Sequence, residues 1–481
     1  MDLRPVGYVI GLLVAVLGAA MMLPMLVDLA EGRGHWYVFA ESALITLVIG
    51  GVLSLSCANS VREGLTIQQT FLLTTGVWLA LPVFGALPFW FGATEARYVD
   101  AFFEAMSGLT TTGSTVLSGL EALPKGLLLW RGILQWLGGI GIIVVAMVFL
   151  PELRVGGMQI FRTEAFDTFG KILPRATEIA SRISVIYIAL TLICALAYIG
   201  AGMNAFDATV HAMTTIATGG FANYDASFAA FGPGASYVAC LFMILAALPF
   251  VRFVQLSAGT ARPLLHDTQI HVFLATALAV VTLVALSNIL RADTLTEAAF
   301  RTALFNTVSL MTGTGYANAD YMQWGGFAVA VLFFTGLIGG CAGSTACSIK
   351  IFRYQLLFAS IRAQLQKTRS PHGIFTPRYA GRPVGEDVLN SVMSFFMFFV
   401  VTLGVLSVAL AMTGLDFITS ISGAATALAN IGPGFGDQIG PAGNFAGLND
   451  TAKWLLSAAM LIGRLELMAV YVMFTVGFWR A

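Results

Sequence analysis

The chain of 481 residues is 58% hydrophobic and only 10% charged, with Lys plus Arg equal to Asp plus Glu. Soluble domains carry about 25% charged residues, so most of this surface faces something other than water, and a net charge of zero argues against a nucleic-acid partner. Cys57, Cys194, Cys240, Cys341 and Cys347 lie in apolar stretches with no zinc or disulfide spacing, and no Walker loop or metalloprotease helix occurs.

In chain order, Arg4 precedes an apolar segment from Pro5 to Val27 that is longer than a signal-peptide core and lacks a small-residue cleavage site, which reads as a retained span. Ten long apolar segments follow one another at roughly 6–27, 36–57, 67–91, 126–150, 183–203, 235–260, 270–290, 325–360, 388–413 and 452–478. From the third onward they pair, and each pair encloses a shorter apolar stretch ending in Gly, Thr and aromatic residues near 113, 220, 315 and 432. Those stretches are too brief to cross a bilayer and read as re-entrant helices.

The predicted fold is an all-α integral membrane protein, with ten transmembrane helices and four re-entrant pore helices. Residues 1–62 form two extra N-terminal transmembrane helices, and four repeats occupy 63–152, 153–266, 267–362 and 363–481 around one pore. Seventeen of the 25 Lys and Arg fall in the termini and the loops around 58–65, 151–182, 251–268 and 350–387. The excess of positive charge predicts that these face the cytoplasm, both termini included, so that the four polar loops open outside. Arg33, Arg97, Lys125, Arg131, Arg291, Arg301 and Lys453 fall on the opposite side.

The four loops align on one glycine each: "FEAMSGLTTTGSTV" on Gly113, "VHAMTTIATGGFAN" on Gly220, "FNTVSLMTGTGYAN" on Gly315 and "SGAATALANIGPGF" on Gly432. In this register Asp100 and Asp207 both stand thirteen residues before the glycine, and Glu104, His211 and Asn306 nine before. The match of Glu104 with His211 favours Gly220 over its neighbour Gly219. Extended backbone at membrane depth costs several kcal/mol per unpaired polar group unless it lines a cavity. Four such segments around one axis would present rings of carbonyl oxygens, which suit a hard cation. A single Thr-Gly cluster is usually a turn or a packing patch; four in equivalent places favour an ion path. The short helices would aim their negative C-terminal ends at the cavity, with Asp100, Asp207, Glu297 and Asp416 near their N-termini.

"TTTGST", "TIATGGFAN", "TGTGYANADY" and "ANIGPGFG", with "GGCAGSTACSIKIFR" and "GRLELM", resemble the Trk/Ktr/HKT superfamily of potassium transporters, and most closely its TrkH branch. The resemblance spans nearly the whole chain. It implies uptake of K⁺ across the cytoplasmic (cell inner) membrane through a channel-like pore with a four-loop filter and an intramembrane gate. Backbone carbonyls of Thr111, Thr112, Thr218, Gly219, Gly313, Thr314, Asn430 and Ile431 would then coordinate potassium. Gly113, Gly220, Gly315 and Gly432 would be the filter glycines. The gate would comprise Gly339, Gly340, Gly343, Ser344 and Thr345, with Arg464 as an electrostatic barrier below the filter. Cys347 and Ser348 depart from the family, which commonly has two glycines there. The implied partners are a second copy of the chain in a homodimer, membrane lipid, and a cytosolic TrkA-type nucleotide-binding regulatory subunit.

Read without the resemblance, "GGCAGSTACS" at 339–348 is a kink with small-residue packing, and Arg464 is a structural ion pair within the bundle. Glu466 is two residues away and faces another side of the helix. Lys350 and Arg353 are expected to snorkel or meet a partner. His211 is expected to pack within its half-helix, His266, His271 and His372 to be solvated, and 362–387 to be a solvated linker or docking surface. "GGIGI" at 138–142 lies inside a span and is no dinucleotide fingerprint, so no organic cofactor is expected in this chain. A symporter coupled to H⁺ or Na⁺ is the alternative; few carboxylates in the spans speak against it. No nucleophile–base constellation suggests an enzyme.

Overall fold

Capping residues start most of the helices that matter for the site. The computed structural model describes residues 1–32, 34–60, 65–145, 156–158, 176–292 and 296–480. These are mostly helical, with one two-residue antiparallel hairpin, Arg378–Tyr379 against Arg382–Pro383. Helices α1 (Arg4–Ala20) and α2 (Met22–Ala30) form one apolar stretch, and α3 (Trp36–Cys57) packs along α1. A capping box between Thr66 and Gln69 opens α4 (Ile67–Gly85), which runs on into α5 (Leu87–Phe91).

Four units then repeat one pattern of helix, short helix, loop and helix. The first has α6 (Tyr98–Leu109) and α7 (Lys125–Val144). The second has α8 (Ala176–Gly200), α9 (Ala205–Ile216), α10 (Pro233–Ala246) and α11 (Phe250–Ser257). The third has α12 (Thr268–Ala292), α13 (Glu297–Thr312), α14 (Gly326–Gly336) and α15 (Ile351–Arg369). The fourth has α16 (Glu386–Met412), α17 (Phe417–Ala429), α18 (Asp450–Arg464) and α19 (Met468–Tyr471).

Asn204, Thr296 and Asp416 cap α9, α13 and α17 by accepting from the backbone N–H three residues on. Asp100 stands in the first turn of α6. Hydrogen bonds from Arg301, then Tyr237, hold the Glu297 carboxyl below the usual carboxylate range, and those from Thr419 do the same for Asp416. More than half of the residues of each short helix are buried. Every residue from Ala101 to Leu109 is buried although α6 carries Glu104 and Ser107. A helix with polar residues buried all round lies at the centre of the protein, not in lipid.

Of the ten expected spans, two are bent and one is interrupted. Among the described residues seven helices are long and apolar enough to cross a membrane, or nine if each of two bent pairs is one span. The expected span 235–260 bends by 89° between α10 and α11, where Pro249 lacks an N–H and Phe250 N donates to the Gly343 carbonyl. The expected span 452–478 bends by 104° after α18, where Glu466 and Leu467 both take positive φ. The stretch 325–360 is α14, irregular chain from Leu337 to Lys350, then α15, so the interruption is wider than 339–348. Most of the basic loop 151–182, with the boundary at 152/153, lies outside the described residues.

Several basic residues are buried. Arg131 and Lys453, placed with the opposite-side loops, are buried and paired with Glu104 and Asp100. Lys350 and Arg353, expected to snorkel or contact a partner, are buried as well, and Arg353 pairs with Glu466. Charge in the interior persists only when partnered, which is the reason each of these cations has an acceptor within reach.

Candidate functional site

All four short helices end in the same way. The residue two before the loop glycine takes left-handed backbone: Thr111 (φ 51°), Thr218 (49°), Gly313 (71°) and Asn430 (51°). Its N–H reaches back three residues, to Gly108, Thr215, Leu310 and Ala427, and the next N–H reaches back five, to Ser107, Thr214, Ser309 and Thr426. These are Schellman ends, which satisfy two of the helix's terminal carbonyls. The following glycine again has positive φ: Gly113 87°, Gly220 79°, Gly315 81° and Gly432 109°. Thr112, Gly219, Thr314 and Ile431 between them do not take positive φ. Alternation of this kind turns successive carbonyls toward a common side.

The four loops close into a ring. A Cβ on Gly113 would lie 2.2 Å from the Gly219 oxygen, one on Gly220 1.8 Å from Thr314 O, one on Gly315 2.0 Å from Ile431 O, and one on Gly432 2.8 Å from Thr112 O. Each glycine thus abuts the carbonyl immediately preceding the next repeat's glycine, in the cyclic order first, second, third, fourth, first. Ser114 Oγ further donates to Gly432 O at 2.7 Å, and Asn430 Nδ2 to Thr112 Oγ1 at 2.9 Å. All eight expected carbonyl residues and all four expected glycines are brought together here.

The returning strands are held by a polar side chain from each short helix, always at the third residue after the glycine. Glu104 accepts from Val116 N at 3.0 Å, and His211 Nε2 from Asn223 N at 3.4 Å. Asn306 Nδ2 donates to Asn318 Oδ1 at 2.7 Å. In the fourth repeat Ser422 does this, accepting from Phe435 N at 3.0 Å and donating to its carbonyl at 3.1 Å. The shared position of Glu104, His211 and Asn306 is therefore a staple, and His211 packs within its own helix through Nδ1 and the Asp207 carbonyl. Beyond the ring a cavity of about 340 Å³ is lined by residues of all four loops, Gly113, Gly220, Gly315 and Pro433 among them.

On the other side of the ring lies the segment 337–350. Cys341 N donates to Ala247 O, Thr345 Oγ1 to Ala246 O and Ala342 N to Gln269 Oε1, while Ser348 N donates to Ala429 O. Gly339, Gly340, Gly343 and Ser344 lie within this segment, with Gly340 O accepting from Ile351 N. Cys347 reaches furthest toward the ring: its Sγ is 3.6 Å from Thr111 Oγ1, and its Cβ 2.9 Å from where Gly313 would carry one. Arg464 Nη1 donates to that sulfur at 2.9 Å and Nη2 to Gly138 O at 3.3 Å. A cavity of about 30 Å³, room for a water or two, is lined by Ser344, Cys347, Lys350, Asn430, Arg464 and Glu466.

Sequence reasoning missed three groups. Arg131 sits four residues before Gln135 in an apolar span, with only one buried carboxylate to reveal it, Glu104 at 2.8 Å. Glu466 faces Arg353, over a hundred positions away in the chain. Gln135, fully buried in α7, holds loop 2 through Gly219 O and Phe221 N. Nothing local in the sequence pairs these residues.

Four converging loops at buried helix ends, open to a cavity on one side and closed by a segment on the other, define a membrane protein that handles an ion. Residues 35–478 match the TrkH family model, described as cation transport protein. The chain is 43% identical to the Trk system potassium uptake protein TrkI of Halomonas elongata, over 99% of this chain and 97% of that protein. It is 36% identical to the Trk system potassium uptake protein TrkH of Escherichia coli K12, over the full length of both. The crystal structure of the potassium transporter TrkH from Vibrio parahaemolyticus superposes with a TM-score of 0.91 at 33% identity, covering both chains completely. The chain belongs to the TrkH family of cation transport proteins, whose relatives here are named as transporters and not as enzymes.

Proposed function

We propose that this chain takes up potassium across the cytoplasmic membrane through a channel-like pore formed by its four loops. The observation that carries the reading is the closed cycle of contacts from Gly113 to Gly219, Gly220 to Thr314, Gly315 to Ile431 and Gly432 to Thr112. Carbonyls of Thr111, Thr112, Thr218, Gly219, Gly313, Thr314, Asn430 and Ile431 replace the water shell of K⁺. The potassium uptake named for the relatives supports the choice of ion.

The short helices are re-entrant pore helices and the chain crosses the membrane ten times, the bent pairs and the interrupted third-repeat span each making one crossing. Both termini are cytoplasmic. Each short helix adds about half a negative charge at its C-terminal end, which favours a cation at the meeting point. Segment 337–350 is the gate, and Arg464 behind it raises the barrier to a cation leaving the filter. A homodimer with one pore per subunit, and a cytosolic TrkA-type nucleotide-binding subunit that biases the gate, complete the assembly. The words "Trk system" in the relatives' names support a multi-component assembly.

The test is ⁸⁶Rb⁺ uptake into vesicles carrying the purified protein, with K⁺-dependent growth rescue of an uptake-deficient strain. Selective ⁸⁶Rb⁺ entry without a proton or sodium gradient is expected. Flux that vanishes unless such a gradient is imposed would favour the coupled symporter instead.

A further inference from the structure

We infer that Gln135 is a positioning residue that sets ion discrimination, by fixing the second loop against the first; this rests on the potassium-pore reading above. Gln135 belongs to α7, in the first repeat, yet it holds the second repeat's loop. Its Nε2 donates to Gly219 O at 2.6 Å and its Oε1 accepts from Phe221 N at 3.0 Å. One amide therefore brackets Gly220, the loop glycine, on both sides. Only this amide orientation satisfies both partners, since a carbonyl cannot donate and an N–H cannot accept. The side chain has no exposure. Among the described residues no other side chain brackets a loop glycine in this way.

The same geometry accounts for the second glycine in "TGGF". A Cβ on Gly219 would lie 2.3 Å from the Gln135 amide carbon, so any larger residue would push the amide out of reach. The Gly219 oxygen is in turn 2.2 Å from where a Cβ of Gly113 would stand. Gln135, Gly219 and Gly113 thus lie in series, and the amide spaces loop 2 from loop 1. A carbonyl that already accepts from an amide N–H gives a passing cation a weaker field, and one tied on both sides of the glycine cannot fold inward around a smaller ion. Whether discrimination of K⁺ from Na⁺ comes from cage size or from ligand field, Gln135 acts on it.

Two substitutions test this. Gln135→Met keeps the volume and removes both hydrogen bonds, and Gln135→Leu removes both with a branched side chain of similar size. Both are measured in vesicles for ⁸⁶Rb⁺ and ²²Na⁺ entry alongside the parent, with thermal unfolding of each purified protein as a folding control. The expected result is an Rb⁺/Na⁺ flux ratio lowered about tenfold, equivalent to about 1.4 kcal/mol, read as a ratio so that any change in total ⁸⁶Rb⁺ flux does not enter it. Should Gln135→Met fail to fold, Gln135→Leu decides alone. A folded variant with the parent's discrimination overturns the inference. A parent that admits both ions alike overturns the potassium-pore reading instead.

Discussion

Arg464 donates to the sulfur of Cys347 at 2.9 Å, beside the residues that terminate the first and third short helices. A fixed cation is thereby tied to the one side chain of the 337–350 segment that touches two opposite loops. Arg464→Ala removes the charge and the tie together. At an effective dielectric of about 20, two unit charges repel by about 1.7 kcal/mol at a separation of about 10 Å, and by more if closer. Basal ⁸⁶Rb⁺ flux in vesicles should therefore rise about tenfold or more. Cys347→Ala leaves the charge and should raise flux less. Flux unchanged or lowered in Arg464→Ala would refute the barrier.

Glycine is demanded at the ring by two separate constraints, backbone sign and space. Gly113→Ser would place a Cβ 2.2 Å from Gly219 O at φ 87°, and the left-handed backbone alone costs about 1–2 kcal/mol. The neighbouring carbonyl must shift, so discrimination between Rb⁺ and Na⁺ should fall. Gly220→Ala is tighter, at 1.8 Å from Thr314 O, and should do more damage than Gly113→Ser in the same paired-isotope assay. The reverse order would mean that the loops are not close-packed as a ring.

The loop register was legible because it repeats: four glycines, a polar residue nine before three of them and an acidic residue near each helix start survive as spacing alone. The fourth repeat shows the limit. Gly423 occupies the ninth position there, and Ser422, one residue earlier, does the stapling. What spacing could not carry was any contact between distant segments, such as Arg353 with Glu466 or Gln135 with Gly219. Bends failed for a related reason. The sequence 235–260 is apolar throughout, and apolarity measures length available to cross lipid, not straightness. Pro249 was the one local sign of the break, while the acceptor for Phe250 N lies in the third repeat at Gly343.

Glu104 and Arg131 make a buried pair at 2.8 Å within the first repeat. Arg131 Nη1 also donates to Ala222 O at 2.6 Å, and its guanidinium lies 4.1 Å from the centre of the Phe221 ring. Breaking such a pair from one side costs about 3–5 kcal/mol because an uncompensated charge stays buried. Glu104→Gln should lower the thermal midpoint of the detergent-purified protein markedly. The double substitution Glu104→Gln with Arg131→Met should recover part of that loss, and strictly additive losses would show that the two do not act as a pair.

Among the described residues Glu466 is the only acidic one lining the small cavity that Lys350 and Arg464 also line, and it pairs with Arg353. It stands at the 104° break with φ 63°, followed by Leu467 at φ 50°, a left-handed sequence that non-glycine residues adopt only when their surroundings hold them. Arg353 supplies that hold, and it is itself fixed by Gly156 O at 2.9 Å and by the Phe395 ring at 3.9 Å. Glu466→Gln keeps the shape while leaving three buried cations without a carboxylate. It should destabilise the fold by about 3–5 kcal/mol and, in whatever protein remains folded, depress ⁸⁶Rb⁺ flux, because the added net positive charge faces the ion. Arg464→Ala in the same background should restore flux but not stability, since the unpaired Arg353 remains. Joint recovery of both would show that Glu466 serves Arg464 and not Arg353.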